Sequence, residues 1–265
     1  MQAGVKRISC RACQDAPPAP DFTMAFQPVV DLTLGRIDAH EALVRGLNGD
    51  PAHVVLARVN SENRYRFDQA CRVKAIELAT SMGLDARLNI NFIPNAVYEP
   101  RACIRQTLEA AARCGLDKSR LTFEIVEGED FADMPHLKHI MTEYRRQGFL
   151  VALDDFGTGY SGLSRLATLQ PDIVKLDRAI IENCDVDRVK RTIIAGIAAL
   201  CRSLGTKLVA EGIETEQELS VVQDAGIRFV QGFYFARPAF ERLVTASEIT
   251  HLARAAARLE SQVSG

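Results

Sequence analysis

No stretch of this chain is apolar for the roughly 20 residues that a membrane-spanning helix requires, so no transmembrane segment and no membrane partner are expected. An excess of one charge is also missing. The chain has 32 basic and 34 acidic side chains and a net charge of −2. That balance gives no bulk electrostatic reason to expect a nucleic-acid polymer or an anionic membrane as partner. The beginning, "MQAGVKRISCRACQDAPPAPDF", is basic but lacks the apolar core of a secretory signal. Seven cysteines, an odd number scattered over 265 residues, make no disulfide framework and point to a reducing cytoplasm. Cys10 and Cys13 form a single CxxC, with no second CxxC and no close histidine pair to complete a zinc site. Residues 1–24 therefore read as a flexible segment, two exposed thiols followed by the stiff spacer "APPAP". A metal or disulfide shared between two chains is the other reading of that CxxC.

What is present suits one large domain over residues 25–260, with 47% of the chain hydrophobic. Short runs rich in Val, Ile, Leu and Phe recur: "FQPVV", "RIDAHEALV", "LNINFIP", "LTFEIVE", "LVALDDF", "DIVKLD", "KLVAEGI" and "FVQGFYF". From the second run onward each is followed by a segment with helical spacing. Phe67, Cys71, Ala75, Leu78 and Met82 form one such stripe, and Ile193, Ile197, Leu200 and Leu204 another. Eight strands alternating with helices fit a closed parallel barrel better than an open doubly wound sheet. No dinucleotide fingerprint follows the first strand, which counts against the open sheet. Only "DLTLGR" joins the first two strands, too short for a parallel crossover, with Gly35 suited to a turn. The expected class is α/β, a modified TIM-type (β/α)8 barrel with one antiparallel strand.

Residues two apart on a strand share a face. In "LTFEIVE", Leu121, Phe123 and Ile125 take the face that helices cover, which turns Thr122 and Glu124 inward. The same alternation sets Asn89 and Asn91 apart from Leu88, Ile90 and Phe92, and Lys175 and Asp177 apart from Val174 and Leu176. It places Glu41 with Leu43 and Arg45, and turns Glu211 away from Leu208 and Ala210. Asp154 ends a fifth run, with Asp155 following at the rim. Taken singly, each of these has an ordinary explanation: Asp154 and Asp155 as a helix cap, Asn91 as a cap before Pro94, Lys175 as an exposed lysine. Together they occupy the C-terminal ends of successive strands, where barrel enzymes place their chemistry.

Glu41, Glu124, Asp154, Asp155, Asp177 and Glu211 would then share one mouth, with Glu127 and Glu214 just beyond. The basic residues in reach are Lys175, Arg45 and Arg178. Two carboxylates 4 Å apart repel by roughly 4 kcal/mol at an effective dielectric of 20. Several together require protons or cations. Carboxylate oxygens and the Asn91 amide oxygen, with no His or Cys, form a hard donor set that suits Mg²⁺ or Mn²⁺. A carboxylate shared by two cations builds a two-metal centre, which activates water for in-line displacement at phosphorus. From the residues alone the reading is metal-dependent phosphoester hydrolysis of an unnamed substrate.

The run "EALVR" at 41–45 resembles the signature of the EAL domain family, bacterial phosphodiesterases that open cyclic di-GMP to linear pGpG. The resemblance extends from about Phe26 to Pro238. It includes "FQPVVD", "NIN" at 89–91, "FEIVE" at 123–127, "DDFGTGYS" at 154–161, "VKLDR" at 174–178, "AEGIET" at 210–215 and "QGFYFARP" at 231–238. The stretch "ENRYRFDQACRVKAIELA" is most similar to EAL domains that accompany blue-light-sensing BLUF domains.

By position, the resemblance implies that Glu41, Asn91, Glu124 and Asp154 hold a first metal. Asp154 bridges to a second, completed by Asp155 and Glu211. It makes Lys175 the residue that helps deprotonate the attacking water, supported by Asp177 and Glu214, with Glu41, Asp154 and Glu211 also essential to catalysis. Gln27, Leu43, Arg45, Asp177, Gln231 and Pro238 are implied substrate contacts, and Glu127 anchors the loop that starts at Asp155. A homodimer, an upstream sensor and a bacterial source follow from the same resemblance, beside the Mg²⁺ or Mn²⁺ cofactor and cytoplasmic location already expected from the residues; Ca²⁺ is expected to inhibit, because its looser coordination misplaces the nucleophile. Three positions depart from the family pattern: Val126 replaces a threonine, Gly46 an aromatic residue and Gly162 a serine. None of them is a metal ligand. Relatives that only bind cyclic di-GMP have lost parts of this set, so the intact set favours an enzyme over a silent receptor.

Overall fold

The barrel begins with a hairpin. Thr23–Asp31 (β1) and Arg36–Arg45 (β2) pair antiparallel, and Gly35 takes the left-handed conformation (φ +57°) that the short connection needs. The computed structural model describes residues 17–97, 99–126, 133–159, 162–252 and 255. Cys10, Cys13 and Glu127 lie outside them.

From β2 the sheet continues in parallel through Arg87–Asn91 (β3), Leu121–Val126 (β4), Leu150–Phe156 (β5), Ile173–Leu176 (β6), Lys207–Ala210 (β7) and Phe229–Val230 (β8). β8 then pairs antiparallel with the end of β1 and closes the barrel. Ala239–Phe240 (β9) pairs antiparallel with the start of β1. The short first connection predicts one antiparallel pair. In the structure β1 runs against all three of its neighbours, because closing the ring places it between β2 and β8.

Helices fill the crossovers: Ala52–Leu56 (α1) and Arg64–Ser81 (α2), then Pro100–Cys103 (α3) and Arg105–Arg113 (α4). Met134–Arg146 (α5), Gly162–Leu169 (α6), Arg178–Ile181 (α7), Arg188–Leu204 (α8) and Glu216–Asp224 (α9) follow. No helix among the described residues is long and apolar enough to cross a membrane. Outward-facing Leu88, Ile90, Phe123, Ile125 and Val151 pack against α2 and α5 in one core; Val174, Leu176 and Ala210 pack against α8 in another. A third cluster, Val29, Ala39, Ala152, Ile173 and Val209, fills the barrel interior and floors the site above it.

The α2 stripe packs as its spacing predicts, with Phe67, Cys71 and Ala75 buried. The α8 stripe does so only in part, through half-buried Ile197 and Leu200. Ile193 and Leu204 are 40% and 56% exposed, and the buried residues are Ile194, Ala198 and Cys201. α8 carries two overlapping apolar stripes, and periodicity alone does not say which faces the sheet.

The run "FVQGFYF" is also not a strand throughout. It leaves the sheet after Val230 and bends over the β7–α9 loop, where Ile213 N–H donates to Gln231 O and Tyr234 N–H to Ile213 O. Gly232 permits this approach, since a Cβ there would lie 2.0 Å from Ile213 O. A backbone atom cannot rotate away, so Gly232→Ala is expected to cost about 3 kcal/mol, at the upper end of overpacking penalties. A urea midpoint unchanged from wild type would show that the bend is not required.

Candidate functional site

Glu41 on β2, Glu124 on β4, Asp154 on β5 and Glu211 just after β7 converge on Lys175 of β6. Lys175 is 1% exposed, and its Nζ lies 2.9 Å from Glu211, 3.1 Å from Glu124, 3.1 Å from Asp154 and 3.3 Å from Glu41. These residues come from the β7 end, β4, β5 and β2, so the contacts tie opposite sides of the barrel together. Asn91 Nδ2 donates to Glu41 Oε1 (3.1 Å), and Asn89 Nδ2 donates to Glu124 Oε1 (2.9 Å). Gln231 Nε2 lies within reach of both Glu41 Oε2 (2.8 Å) and Gln27 Oε1 (3.1 Å).

Asp155 joins this cluster through a backbone irregularity. The β5–β6 register shifts between Leu153 and Phe156, and Asp155 has φ +53°. Strict alternation would send two adjacent side chains to opposite faces; the bulge keeps Asp155 at the mouth beside Asp154. Asp is among the few residue types that accept the left-handed region at modest cost.

The electrostatics are unbalanced. One ammonium faces four carboxylates, with Asp155 a fifth at the rim. Burial opposes the charge on Lys175, but Asp154, Glu124, Glu211 and Glu41 outweigh it and push its pKa well above the usual lysine range. Burial drives the carboxyls of Glu124 and Glu211 well above the usual range; neighbouring acids add to this and Lys175 opposes it. Asp155 is pushed up to about 6, by burial first and then by Asp154 and Asp177.

The residues fit divalent cations. Glu41, Glu124 and Asp154 form one group whose carboxylate oxygens lie within 4.8 Å of one another; Asp154, Asp155 and Glu211 form a second. Asp154 belongs to both. Asn91 engages Glu41 through its nitrogen, which leaves the amide oxygen available as a ligand. Glu124 Oε2 is buried, and its polar contact is the ion pair with Lys175 Nζ at 3.1 Å. The cavity above these acids, about 240 Å³, is also lined by Gln27, Asp177, Arg178, Glu214, Gln231 and Phe233.

The other residues singled out by sequence lie around this centre. Asp177 caps α7 by accepting from Ala179 N–H at 2.7 Å. Glu214 is exposed and paired with Arg178 at the rim. Leu43 lines a separate apolar cavity of about 300 Å³ with Phe67, Asn91 and Ile93. Arg45 is half-buried and donates to Val44 O at 2.7 Å. Pro238 is half-buried just before β9.

The model of the EAL domain family matches residues 11–238. The chain belongs to the EAL domain family. Among solved structures, this EAL domain is similar to a standalone EAL protein from Vibrio cholerae in its c-di-GMP-bound form. The two are 47% identical with a TM-score of 0.84, over 86% of this chain and 97% of that one. It is also similar to Klebsiella pneumoniae BlrP1 in a manganese and cyclic di-GMP complex, at 32% identity and a TM-score of 0.80, over 85% of this chain and 58% of that one. Curated relatives include the Escherichia coli blue light- and temperature-regulated antirepressor BluF, 27% identical over 85% of this chain and 56% of that protein. Another is the Pseudomonas aeruginosa cyclic di-GMP phosphodiesterase NbdA, 30% identical over 80% of this chain and 28% of that protein. The EAL domain thus spans about half, or less, of the length of these curated relatives.

Gln231, an implied substrate contact, also orients Glu41, a role that its position after the last strand does not signal. Sequence reasoning passed over other residues around the site. Phe233 stands 42% exposed at the mouth, with Arg237 4.2 Å above its ring. Asp68 and Arg72 form a fully buried ion pair at 2.5 Å, with Asp68 also accepting from Ile93 N–H just after Asn91. An acid and a base four apart inside the apolar α2 stripe were the available signal.

Because Asp155 binds a proton near pH 6, a cation at the second group must displace that proton at lower pH. The Mn²⁺-induced rise in melting temperature is therefore expected to be small at pH 5.5 and to grow as the pH rises through 6, and the raised Glu211 carboxyl extends that growth to higher pH. A rise independent of pH over that range would contradict the assignment of Asp155 as a ligand.

Proposed function

We propose that this EAL domain is a metal-dependent phosphodiesterase that hydrolyses cyclic di-GMP to linear pGpG in the bacterial cytoplasm. The observation that carries the reading is that Asp154 is common to two carboxylate groups, as a two-cation centre requires. The intact set of strand-end acids and the cyclic di-GMP complexes of similar proteins support it.

Glu41, Asn91, Glu124 and Asp154 would hold one Mg²⁺ or Mn²⁺, and Asp154, Asp155 and Glu211 the other. Bound cations would supply positive charge against the phosphate and lower the pKa of the attacking water. The water oxygen bonds to phosphorus, the P–O3′ bond breaks and the 3′ oxygen leaves with a proton. Lys175 would act on the proton of the attacking water once cations on the surrounding acids offset the negative charge that holds its own proton. Gln231 holds Glu41 in place from the side of Gln27. The apolar cavity beside Leu43 and Asn91 gives a base of the dinucleotide a place outside the acidic centre, with Arg45 beyond it for a phosphate.

The whole reaction demands catalysis on the order of 20 kcal/mol, since phosphodiesters hydrolyse very slowly unaided. Incubation with cyclic di-GMP and Mg²⁺ or Mn²⁺, followed by separation of the products, tests the reading. Formation of pGpG is expected. Bound but uncleaved cyclic di-GMP would make the domain a silent receptor.

A further inference from the structure

The layer of side chains beneath the acids is mainly apolar, with Val29, Ala39, Ala152, Ile173 and Val209 forming its core. Asn89 on β3 and Thr122 on β4 also lie buried inside the barrel, side by side in register, 5% and 0% exposed. A buried amide among apolar neighbours is costly unless it is hydrogen-bonded. Asn89 donates from Nδ2 to Glu124 Oε1 at 2.9 Å, and its Oδ1 has no partner among the described residues. A Glu124 carboxylate ionised by a bound cation can only accept, so the NH₂ end of the amide then faces it. The two oxygens of Glu124 are thereby made unequal. Oε1 is held from below by the amide, while Oε2 lies 3.1 Å from Lys175 Nζ at the centre of the site.

We propose that Asn89 is a positioning residue that keeps Glu124 a one-oxygen ligand, and so biases the centre toward small six-coordinate cations and against Ca²⁺. This rests on the reading that these acids hold divalent cations. Mg²⁺ demands near-octahedral single contacts, and Mn²⁺ shares its preference for hard oxygen donors. Ca²⁺ takes six to eight oxygens and readily engages both oxygens of one carboxylate. Swinging Glu124 Oε1 onto an ion would break the hydrogen bond from Asn89 and strand the whole amide in an apolar layer. That penalty falls on a cation that uses both oxygens and spares one that uses a single oxygen. A purely structural role, satisfying a buried carboxylate, would instead support all cations equally.

The test compares the full wild-type chain with Asn89→Ala and Asn89→Ser, with Thr122→Val as a control in the same layer. Mn²⁺ affinity is read from the electron paramagnetic resonance signal of free Mn²⁺, and Ca²⁺ affinity from competition against bound Mn²⁺. Outer partners of metal ligands commonly change affinity by 10- to 100-fold. The ratio of Mn²⁺ to Ca²⁺ affinity is therefore expected to fall about tenfold in both Asn89 variants, and to stay at the wild-type value in Thr122→Val. An unchanged ratio in Asn89→Ser, whether or not both affinities drop together, overturns the proposal.

A crystal structure of the wild-type protein with Mn²⁺ gives a second decision that does not depend on whether the variants fold. One oxygen of Glu124 on the ion, with the other still on Asn89, supports the proposal; both oxygens on the ion overturn it. Absence of any Mn²⁺ binding by the wild type would overturn the cation reading itself, and this proposal with it. A changed reading of Asn89 alone leaves wild-type Mn²⁺ binding intact, so the two failures are distinguishable.

Discussion

Replacing Asp154 with Asn is expected to cut the rate of pGpG formation by about 10⁴-fold, the loss of several kcal/mol of transition-state stabilisation. Asp154 is the one carboxylate common to both metal-capable groups, and it also touches Lys175 at 3.1 Å. The asparagine keeps the shape but removes the charge that both cations share. It also brings an NH₂ group whose hydrogens would face Lys175 or the ions. Equilibrium dialysis should show loss of Mn²⁺ along with the rate. A variant that retains more than a tenth of the wild-type rate at saturating Mn²⁺ would remove Asp154 from the bridging position.

Lys175→Met should act on two quantities that respond differently to metal. Loss of a positioned proton-transfer group typically slows catalysis by 10²–10⁴-fold, so a drop of about 10³ in turnover is expected with cyclic di-GMP binding largely retained. The structure adds a second effect. Among the described residues this ammonium is the only cation touching these four carboxylates, three of them buried and Glu211 half-buried. Removing one partner of a buried ion pair costs about 3–5 kcal/mol, because the remaining charge is left unpaired. The metal-free variant should therefore melt well below wild type, and Mn²⁺ should raise its melting temperature by more than it raises that of wild type. Equal melting temperatures without metal would mean that Lys175 does not carry the charge balance of the site.

These two residues were legible in the sequence for a simple physical reason. A strand alternates its side chains, so a polar residue on the inward face of an otherwise apolar run stands out, and six strands repeat the pattern. The barrel and the antiparallel first strand were legible from the spacing of those runs and the turn at Gly35. Asp155 was seen as a neighbour of Asp154, but nothing in the letters announces the bulge and left-handed backbone that bring both carboxylates to one mouth. The bend at Gly232 likewise depends on a contact with Ile213, 19 positions earlier in the chain. Hydrogen bonds between strands were the least visible. Asn89 and Asn91 look equivalent in "NIN", yet one lies under Glu124 and the other reaches Glu41. On α8 the spacing does not distinguish two overlapping apolar stripes, and only the packed sheet makes Ile194, Ala198 and Cys201 the buried ones.

Anomalous diffraction from crystals of the wild-type domain grown with Mn²⁺ and cyclic di-GMP decides whether Asp154 bridges two cations. Two manganese peaks are expected on opposite sides of the Asp154 carboxylate, one contacted by Glu41, Asn91 and Glu124 and the other by Asp155 and Glu211. Density for the dinucleotide with no peak beside Asp154, and Lys175 still bound to all four acids, would contradict that bridging role.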